Sequence, residues 1–563
     1  MENKWRLHLE TLYADDEMVQ RAALEIEGLL RRYRPLVAAE AHALSERDVV
    51  LITYGDSLQA PGSLPLQTLQ AFLDAYLAGV VNSVHILPFY PYSSDDGFSV
   101  VDYKAVDPAL GNWSAVEALA GTYRLMFDAV INHISQHSEW FRGYLAGDPR
   151  YAGFFIDVDP VTDLSAVVRP RALPLLTPFE DGQGRRRHIW TTFSADQVDL
   201  NFGNYRVLTA VLDVLLFYVS KGARLLRLDA VGFLWKEPGT SCIHLPQTHA
   251  AIKLMRAVIH ELAPSVVLIT ETNVPHAENI SYFGNGYDEA QLVYNFTLPP
   301  LLAHGVLSGD ARRLSEWAQT LETPSEETTF FNFTASHDGV GLRPVEGILL
   351  EEDKEVLEAA ALAHGGYLSY RDLPNGGRSP YELNCNYLNL LSAPSDPLAL
   401  KMRRLLLSQA VLLAMPGVPG IYIHSLLGSQ NDRAGVEATG RYRSINREKL
   451  DYEEVQLELE DEQSLRHQVF YGYLDLLRAR ITEPAFHPQG TAEVLELHPA
   501  VFALRRRSPD GASTVLALHN LQEDALWLQL PVKANQAKNL LDGSVRGLKP
   551  LKLEGYGVAW LKV

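Results

Sequence analysis

The chain alternates short apolar runs with longer amphipathic segments over most of its length. The apolar runs are rich in Val, Ile and Leu on both faces, which is typical of strands buried in a parallel sheet. We predict eight such strands, at residues 49–54, 84–90, 125–132, 225–232, 266–272, 292–296, 329–336 and 420–426. Segments between them, such as LQTLQAFLDAYL, carry apolar residues at helical spacing and predict covering helices. This alternation indicates an α/β fold of the (β/α)8 TIM barrel type.

Other patterns flank and interrupt the predicted barrel, which we expect to span residues 48–484. Residues 1–47 have apolar positions at helical spacing and predict a helical N-terminal extension. Residues 485–563 alternate at period two, as in TVLALHN and GVAWLKV, and predict a small antiparallel β domain. Two long intervals, at about 134–200 and about 299–397, are interpreted as insertions (B and B′ subdomains) on the catalytic face.

Composition narrows the classes of partner. The chain of 563 residues has 49 Lys and Arg against 69 Asp and Glu, a net charge of -20, which disfavours nucleic acid and anionic membranes. The two cysteines, Cys242 and Cys385, form neither a CxxC pair nor a disulfide framework. No apolar core of a secretory signal follows Met1. We therefore expect a cytoplasmic protein, monomeric or homodimeric, that acts on small molecules.

Charged side chains follow several of the predicted strands at their carboxyl ends, where the active site of a barrel lies. They are Asp128 and His133 in DAVINH, Arg227 and Asp229 in RLDAVG, Glu271 in ITETN, and His337 and Asp338 in TASHDG. Each has a structural alternative, since an Arg–Asp pair in a strand is more often an ion pair than a catalyst. Together they favour function, because desolvating so much charge is costly.

The strand-end carboxylates suit glycosyl transfer with retention of configuration, which uses two carboxyl groups ~5 to 5.5 Å apart. In this hypothesis Asp229 attacks the anomeric carbon and Glu271 protonates the leaving oxygen. Asp338 stabilises the oxocarbenium-like state. Arg227 is expected to lower the pKa of Asp229 and keep it ionised.

The four motifs, in this order and spacing, resemble those of the α-amylase family, glycoside hydrolase family thirteen. The segments VHILPFYPYSSDDGFSVVDY, RPRALPLLTPF and RYRSINRE resemble its sucrose phosphorylase branch, and the resemblance covers nearly all of the chain after Arg47. It implies a glycosyltransferase that works as an α-glucoside phosphorylase. A β-glucosyl-Asp intermediate would be intercepted by phosphate, which is a co-substrate, to give α-glucose 1-phosphate. No metal or cofactor is implied.

The resemblance also implies roles for individual residues. Asp95 and Arg443 would form the pair that grips the glucosyl hydroxyls farthest from the reacting carbon, and Phe98 would stack on the sugar ring. Arg171 and Tyr381 are assigned to phosphate. The residues assigned to the sugar substrates are His133, Arg227, His337, Phe233 and Glu382.

The motifs identify the glucosyl donor more closely than they identify the acceptor. Sucrose phosphorylases have Gln in place of Glu382 and Tyr in place of Phe233, and both positions lie around the acceptor site. The segments KEPGTSCIHL and GSQNDRAGVEATG resemble glucosylglycerate phosphorylases, which release D-glycerate. We therefore expect phosphorolysis of 2-O-α-D-glucosyl-D-glycerate. Sucrose phosphorylase, sucrose 6′-phosphate phosphorylase, a plain hydrolase and a non-catalytic scaffold remain alternatives.

Phosphate and glycerate are both anions, so each needs cations within this acidic protein. Six basic residues fall in segments expected over the barrel mouth: Arg169, Arg171, Lys236, Arg433, Arg441 and Arg443. The sequence does not assign any one of them to the glycerate carboxylate.

Overall fold

The computed structural model describes residues 4–37, 42–171, 173–372 and 377–563. Its N-terminal segment contains the helices Arg6–Leu12 and Asp16–Tyr33. The second helix packs on the barrel helix Tyr205–Ser220, where Arg32 lies 3.1 Å from Asp213. The helical part of the extension ends at the 3-10 turn Arg34–Leu36, which begins the change to extended backbone, and residues 42–47 form no helix.

Eight parallel strands form a closed barrel, which confirms the predicted fold class. They are β1 (Val50–Thr53), β2 (Ser83–Ile86), β3 (Arg124–Ala129), β4 (Ala223–Leu228), β5 (Val267–Thr270), β6 (Leu292–Tyr294), β7 (Thr329–Asn332) and β8 (Val418–Tyr422). Each strand pairs with the next along the chain, and β8 pairs with β1. The strands overlap all eight predicted runs. All eight end earlier than the predicted runs, because the residues that follow leave the ladder at the barrel mouth.

Helices cover the outside of the barrel between successive strands. The main ones are Pro65–Phe72, Trp113–Ala120, Tyr205–Ser220, Pro246–Leu262, Leu298–Ser308, Arg312–Ala318, Leu398–Ala414 and Leu465–Ile481. Two of these, Leu298–Ser308 and Arg312–Ala318, occupy the first part of the predicted insertion at about 299–397. That part of the prediction is wrong, because Leu298–Ser308 is buried along most of its length and belongs to the helix layer. No helix in the described ranges is long and apolar enough to cross a membrane.

Short strands extend the barrel at its carboxyl end. After β3, His133–Ser135 pairs with Gln197–Asp199, and Leu176–Glu180 forms a hairpin with Arg186–Trp190. After β7, a separate sheet contains Val340–Gly341, Tyr367–Asp372 and Arg378–Asn384, next to the helix Glu351–Ala363. Both additions bring polar side chains over the barrel mouth.

An antiparallel sheet follows the last barrel helix. Its strands, in sheet order, are Thr491–Val494, Val501–Arg507, Thr514–Asn520, Val558–Lys562, Gln536–Asn539 and Val545–Gly547. Arg506 of this sheet is fully buried and donates hydrogen bonds to the carbonyls of Ala414 (2.6 Å) and His487 (2.9 Å). The C-terminal sheet is therefore bonded to the end of a barrel helix.

Candidate active site

Arg227 and Asp229 lie at the end of β4, on the same face, as their spacing predicts. Arg227 donates a hydrogen bond of 2.7 Å to Asp229 Oδ1 and another to Asp128 at the end of β3. Asp128 also lies 2.6 Å from His85 Nε2 of β2. Arg227 is 2% exposed and is absent from the pocket wall, so it acts behind Asp229. The geometry gives Arg227 a positioning role toward Asp229, and its contact with the sugar stays a prediction.

The pKa of Asp229 moves in the opposite direction from our prediction. Burial raises the pKa of Asp229 above its ordinary value, and the nearby charge of Asp128 adds to this increase. Arg227 opposes the increase without reversing it, because the same guanidinium is shared with Asp128, whose own pKa it helps to lower.

Glu271 follows β5 and stands beside Asp229. Its Oε2 accepts a hydrogen bond of 2.8 Å from the backbone N–H of Ala230, which has a left-handed conformation (φ 49°), and lies 3.8 Å from Arg227 Nη2. Burial raises the pKa of Glu271 to about 7, and the negative charge of Asp229 contributes. A carboxyl group with this pKa can both give and take a proton near neutral pH.

Asp338 follows β7 and has the opposite electrostatic setting. Burial alone would raise its pKa, but Arg443, His337 and Arg447 outweigh burial and hold the pKa of Asp338 below its usual range. Arg443 Nη1 lies 2.5 Å from Asp338 Oδ1, and Arg447 Nη2 lies 3.5 Å from the same oxygen. Asp338 is therefore a permanent anion near neutral pH.

These carboxylates face one pocket, together with most of the residues that the resemblance implies for sugar and phosphate. Phe98 stacks on His337, with ring centroids 4.7 Å apart, and His133 Nε2 lies 2.9 Å from the Phe98 carbonyl oxygen. The predicted residues in the pocket wall are Asp95, Phe98, His133, Arg171, Asp229, Phe233, Glu271, His337, Asp338, Tyr381 and Arg443. Residues distant in sequence thus converge on one pocket at the barrel mouth.

Asp95 and Arg443, the pair implied for the glucosyl hydroxyls, both line the pocket but form no ion pair with each other. Arg443 is bound by Asp338 and by Glu382 (Nη2–Oε1 2.7 Å). The arginines near Asp95 are Arg171, at 3.6 Å, and Arg447, at 4.0 Å. Glu382, which was expected beside the acceptor, is 1% exposed and belongs to the wall of an adjoining pocket that shares Tyr381 and Arg443 with the first. It lies behind Arg443 and also accepts from the N–H of Gly339.

The other predicted cations also differ in their surroundings. Lys236 is buried between Asp199 Oδ2 (2.7 Å) and Asn132 Oδ1 (2.7 Å), so it is corrected from a candidate anion ligand to an internal ion pair. Arg169 and Arg433 are exposed and absent from the pocket wall. Arg441 is also exposed, and it lines the adjoining pocket. Arg171 does line the pocket, with its guanidinium 3.6 Å from Asp95 and above the ring of Phe193.

Several pocket residues were not predicted from the sequence: Phe193, Gln197, Ile243, His244, Asn273, Val274 and Arg343. Asn273 lies two residues after Glu271, so the rule that strand ends face the barrel mouth could have found it. Arg343 lies on a 3-10 turn (Arg343–Val345) inside a long connection, where periodicity gives no signal.

Comparisons with known proteins agree with this geometry. Residues 73–339 match the family model of the alpha-amylase catalytic domain. A glucosylglycerate phosphorylase of Spirochaeta thermophila is 55% identical over 478 residues, which are 85% of this chain and 81% of that protein. The glucosylglycerate phosphorylase of Escherichia coli is 50% identical over 466 residues, 83% of each protein.

More distant proteins share the architecture. A sucrose phosphorylase of Agrobacterium vitis is 30% identical over 532 residues, 89% of this chain and 97% of that protein. The crystal structure of a sucrose 6F-phosphate phosphorylase from Thermoanaerobacter thermosaccharolyticum superimposes with a TM-score of 0.75 at 23% identity, covering 91% of this chain and 99% of that one. The similarity to the solved structure is one of fold.

Proposed function

Because this chain belongs to the α-amylase family and, within it, to the glucosylglycerate phosphorylases, we propose that it catalyses the reversible phosphorolysis of 2-O-α-D-glucosyl-D-glycerate to α-D-glucose 1-phosphate and D-glycerate. The observation that carries the chemistry is the pair of carboxyl groups of Asp229 and Glu271 in the pocket wall. Asp229 is held by Arg227, and the adjacent Glu271 has a pKa of about 7. Such a pair supplies a nucleophile and an acid–base group from neighbouring strands.

In the first half-reaction, a carboxylate oxygen of Asp229 attacks the anomeric carbon. The bond from that carbon to O2 of glycerate breaks, and the proton of Glu271 passes to that oxygen. The product is a β-glucosyl ester on Asp229, and free D-glycerate leaves. Asp338, which is ionised and lines the same pocket, stabilises the positive charge that develops on the sugar ring.

In the second half-reaction, an oxygen of phosphate attacks the same carbon from the opposite side. The ester bond breaks, Asp229 regains its charge, and Glu271 takes back a proton from the phosphate. Two inversions give the α-configured sugar phosphate. Arg171 and Tyr381 reach the pocket from the two insertions and are proposed to orient the phosphate. The proposed chemistry uses no metal or cofactor, because phosphate is itself the second substrate.

The relatives favour this acceptor over the alternatives. The glucosylglycerate phosphorylases are 50% to 55% identical to this chain, whereas the curated sucrose and sucrose 6(F)-phosphate phosphorylases are 27% to 30% identical. We further propose a cytoplasmic location, since both cysteines are buried free thiols.

Phosphate release from α-D-glucose 1-phosphate tests the proposal. The purified protein is incubated with this donor and, separately, with D-glycerate, fructose, fructose 6-phosphate or water alone. We expect rapid release with D-glycerate and a product with an α-linkage to O2 by NMR. The variant Asp229→Asn, which cannot form the ester, is the matched control. Equal rates with fructose and D-glycerate would contradict the proposed acceptor, and equal, negligible rates of wild type and Asp229→Asn would indicate a scaffold.

A further inference from the structure

Three arginines line the pocket, and their ionic partners differ. Arg443 is bound by Asp338 and Glu382, and Arg171 lies 3.6 Å from Asp95. Arg343 has no carboxylate within 4 Å among the residues that the structure describes. Of these guanidinium groups, Arg343 is therefore the one whose charge is left for a ligand.

The acidic groups that influence Arg343 are already engaged. Glu346 is paired with Arg371 (Oε1–Nη2 2.6 Å), and Glu278 lies 3.2 Å from His244 Nε2. Burial and the positive charge of Arg371 lower the pKa of Arg343 below its ordinary value. This direction means that the pocket-lining guanidinium lacks a compensating anion, which a bound carboxylate would supply.

The position of Arg343 fits the acceptor rather than the glucosyl group. A methyl group on Gly341 would lie 2.6 Å from Asn273 Oδ1, so the segment leading to Arg343 packs directly on the segment that follows Glu271. Glu271 must reach the oxygen that joins glucose to glycerate. In glycerate the carboxylate is attached to the carbon that bears this oxygen, so a cation for the carboxylate must stand beside the general acid. Arg343, two residues after Gly341, comes from the segment that packs on this side of the pocket.

Arg343 has unused hydrogen-bonding capacity. Its Nε is buried and has no hydrogen-bond partner in the described parts of the chain. Buried polar atoms are nearly always paired, so an unpartnered guanidinium in a pocket wall points to a ligand. A guanidinium can bind a carboxylate through two parallel hydrogen bonds.

We propose that Arg343 binds the carboxylate of the acceptor and so selects D-glycerate over neutral polyols of the same size. This inference rests on the proposed function and extends it to the residue that determines acceptor specificity.

The test compares two acceptors that differ only in the charged group. D-glycerate and glycerol share the carbon skeleton and differ in a carboxylate against a hydroxymethyl group. Phosphate release from α-D-glucose 1-phosphate is measured with each acceptor, and arsenolysis of the same donor monitors the donor and phosphate sites. The variants are Arg343→Gln, Arg343→Lys and the matched control Arg433→Gln, which removes a guanidinium that is absent from the pocket wall and leaves Glu346 paired with Arg371.

For Arg343→Gln we expect kcat/KM for D-glycerate to fall by about 30- to 1,000-fold, the range for losing a buried charge-assisted contact. Glycerol transfer and arsenolysis should stay within about threefold of wild type, because neither uses the lost charge. Arg343→Lys should retain part of the preference, since it keeps the charge and loses the planar fork. Arg433→Gln should leave the glycerate-to-glycerol ratio within about threefold of wild type.

Different failures have different meanings. A wild-type protein that transfers glucose to fructose but not to D-glycerate would refute the proposed function, and the role of Arg343 with it. A wild-type protein active on D-glycerate, with Arg343→Gln equally selective, would refute the role of Arg343 alone. An equal loss of kcat/KM with both acceptors and in arsenolysis would also refute the role of Arg343. Such a result would indicate that Arg343 is a structural or phosphate-binding residue.

Discussion

Lys236 offers a test of how this active site is supported from behind. Its ammonium lies 2.7 Å from Asp199 Oδ2, and the two side chains are 1% and 0% exposed. Asp199 also accepts hydrogen bonds from Thr192 N (2.7 Å), Thr192 Oγ1 (2.7 Å) and Asn132 Nδ2 (3.1 Å). Asn132 in turn precedes His133 of the pocket wall. We expect Lys236→Met to destabilise the protein by leaving a buried carboxylate without its cation.

The size of this loss can be worked from the contacts. Removing one partner of a buried ion pair costs about 3 to 5 kcal/mol. The surviving hydrogen bonds to Asp199 place the variant at the lower end, at about 3 kcal/mol. An unfolding entropy of about 2.1 cal/mol/K per residue gives about 1.2 kcal/mol/K for 563 residues. If the chain unfolds as one cooperative unit, Tm falls by about 2 to 3 °C.

Urea midpoints and thermal scans measure the stability, and KM values for phosphate and D-glycerate measure the site. The double variant Lys236→Met/Asp199→Asn removes both charges, and we expect it to recover most of the stability with KM values within about threefold of wild type. A single variant as stable as wild type would refute the buried pair. A folded double variant with KM for either anion raised about tenfold or more would show that Lys236 binds substrate after all.

Glu271, Arg171 and Gly339 offer further tests of the site. Because burial raises the pKa of Glu271 to about 7, phosphorolysis should fall about tenfold per pH unit above that value. Through Glu271 the folded protein also loses about 3 kcal/mol of stability as pH rises from 4.5 to about 7. Calorimetry should therefore show that Glu271→Gln gains more stability relative to wild type at pH 8 than at pH 4.5. Arg171→Ala should raise free glucose relative to glucose 1-phosphate in phosphate buffer; an unchanged product ratio would refute its phosphate role. Gly339→Ala places a methyl 2.5 Å from the Leu383 carbonyl, so kcat should fall about tenfold or more, and an unchanged kcat would contradict the contact.

The barrel was predictable because its strands are continuous apolar runs of the expected length. Helical spacing between the runs then fixed the strand order, since sequential strand–helix units close in chain order. The stretch at 299–328 was misassigned because its helix is apolar on all sides, and such a helix has no amphipathic signal. Burial on every face removes the periodicity that identifies a helix.

The candidate site was predictable where a residue directly follows a strand. Asp229, Glu271 and Asp338 follow this rule, and all three reach the pocket. Arg343 comes from a connection whose path the sequence does not determine, so it was missed. The ionic partners of Asp95 were missed for another reason. Arg171, Arg443 and Arg447 come from two segments, and only the fold decides which of them approaches Asp95.

The error in the pKa of Asp229 has a physical lesson for sites of this kind. Pairwise reasoning gave Asp229 a cation of its own, but Arg227 lies between Asp128, Asp229 and Glu271. One guanidinium charge cannot compensate three buried carboxylates. Asp128 has additional help from His85, and its pKa is lowered. Asp229 and Glu271 therefore share too little positive charge for both to be ionised. The proton that this requires resides on Glu271, where the proposed reaction needs an acid. The shortage of positive charge behind the nucleophile is thus what prepares the neighbouring carboxyl group for proton transfer.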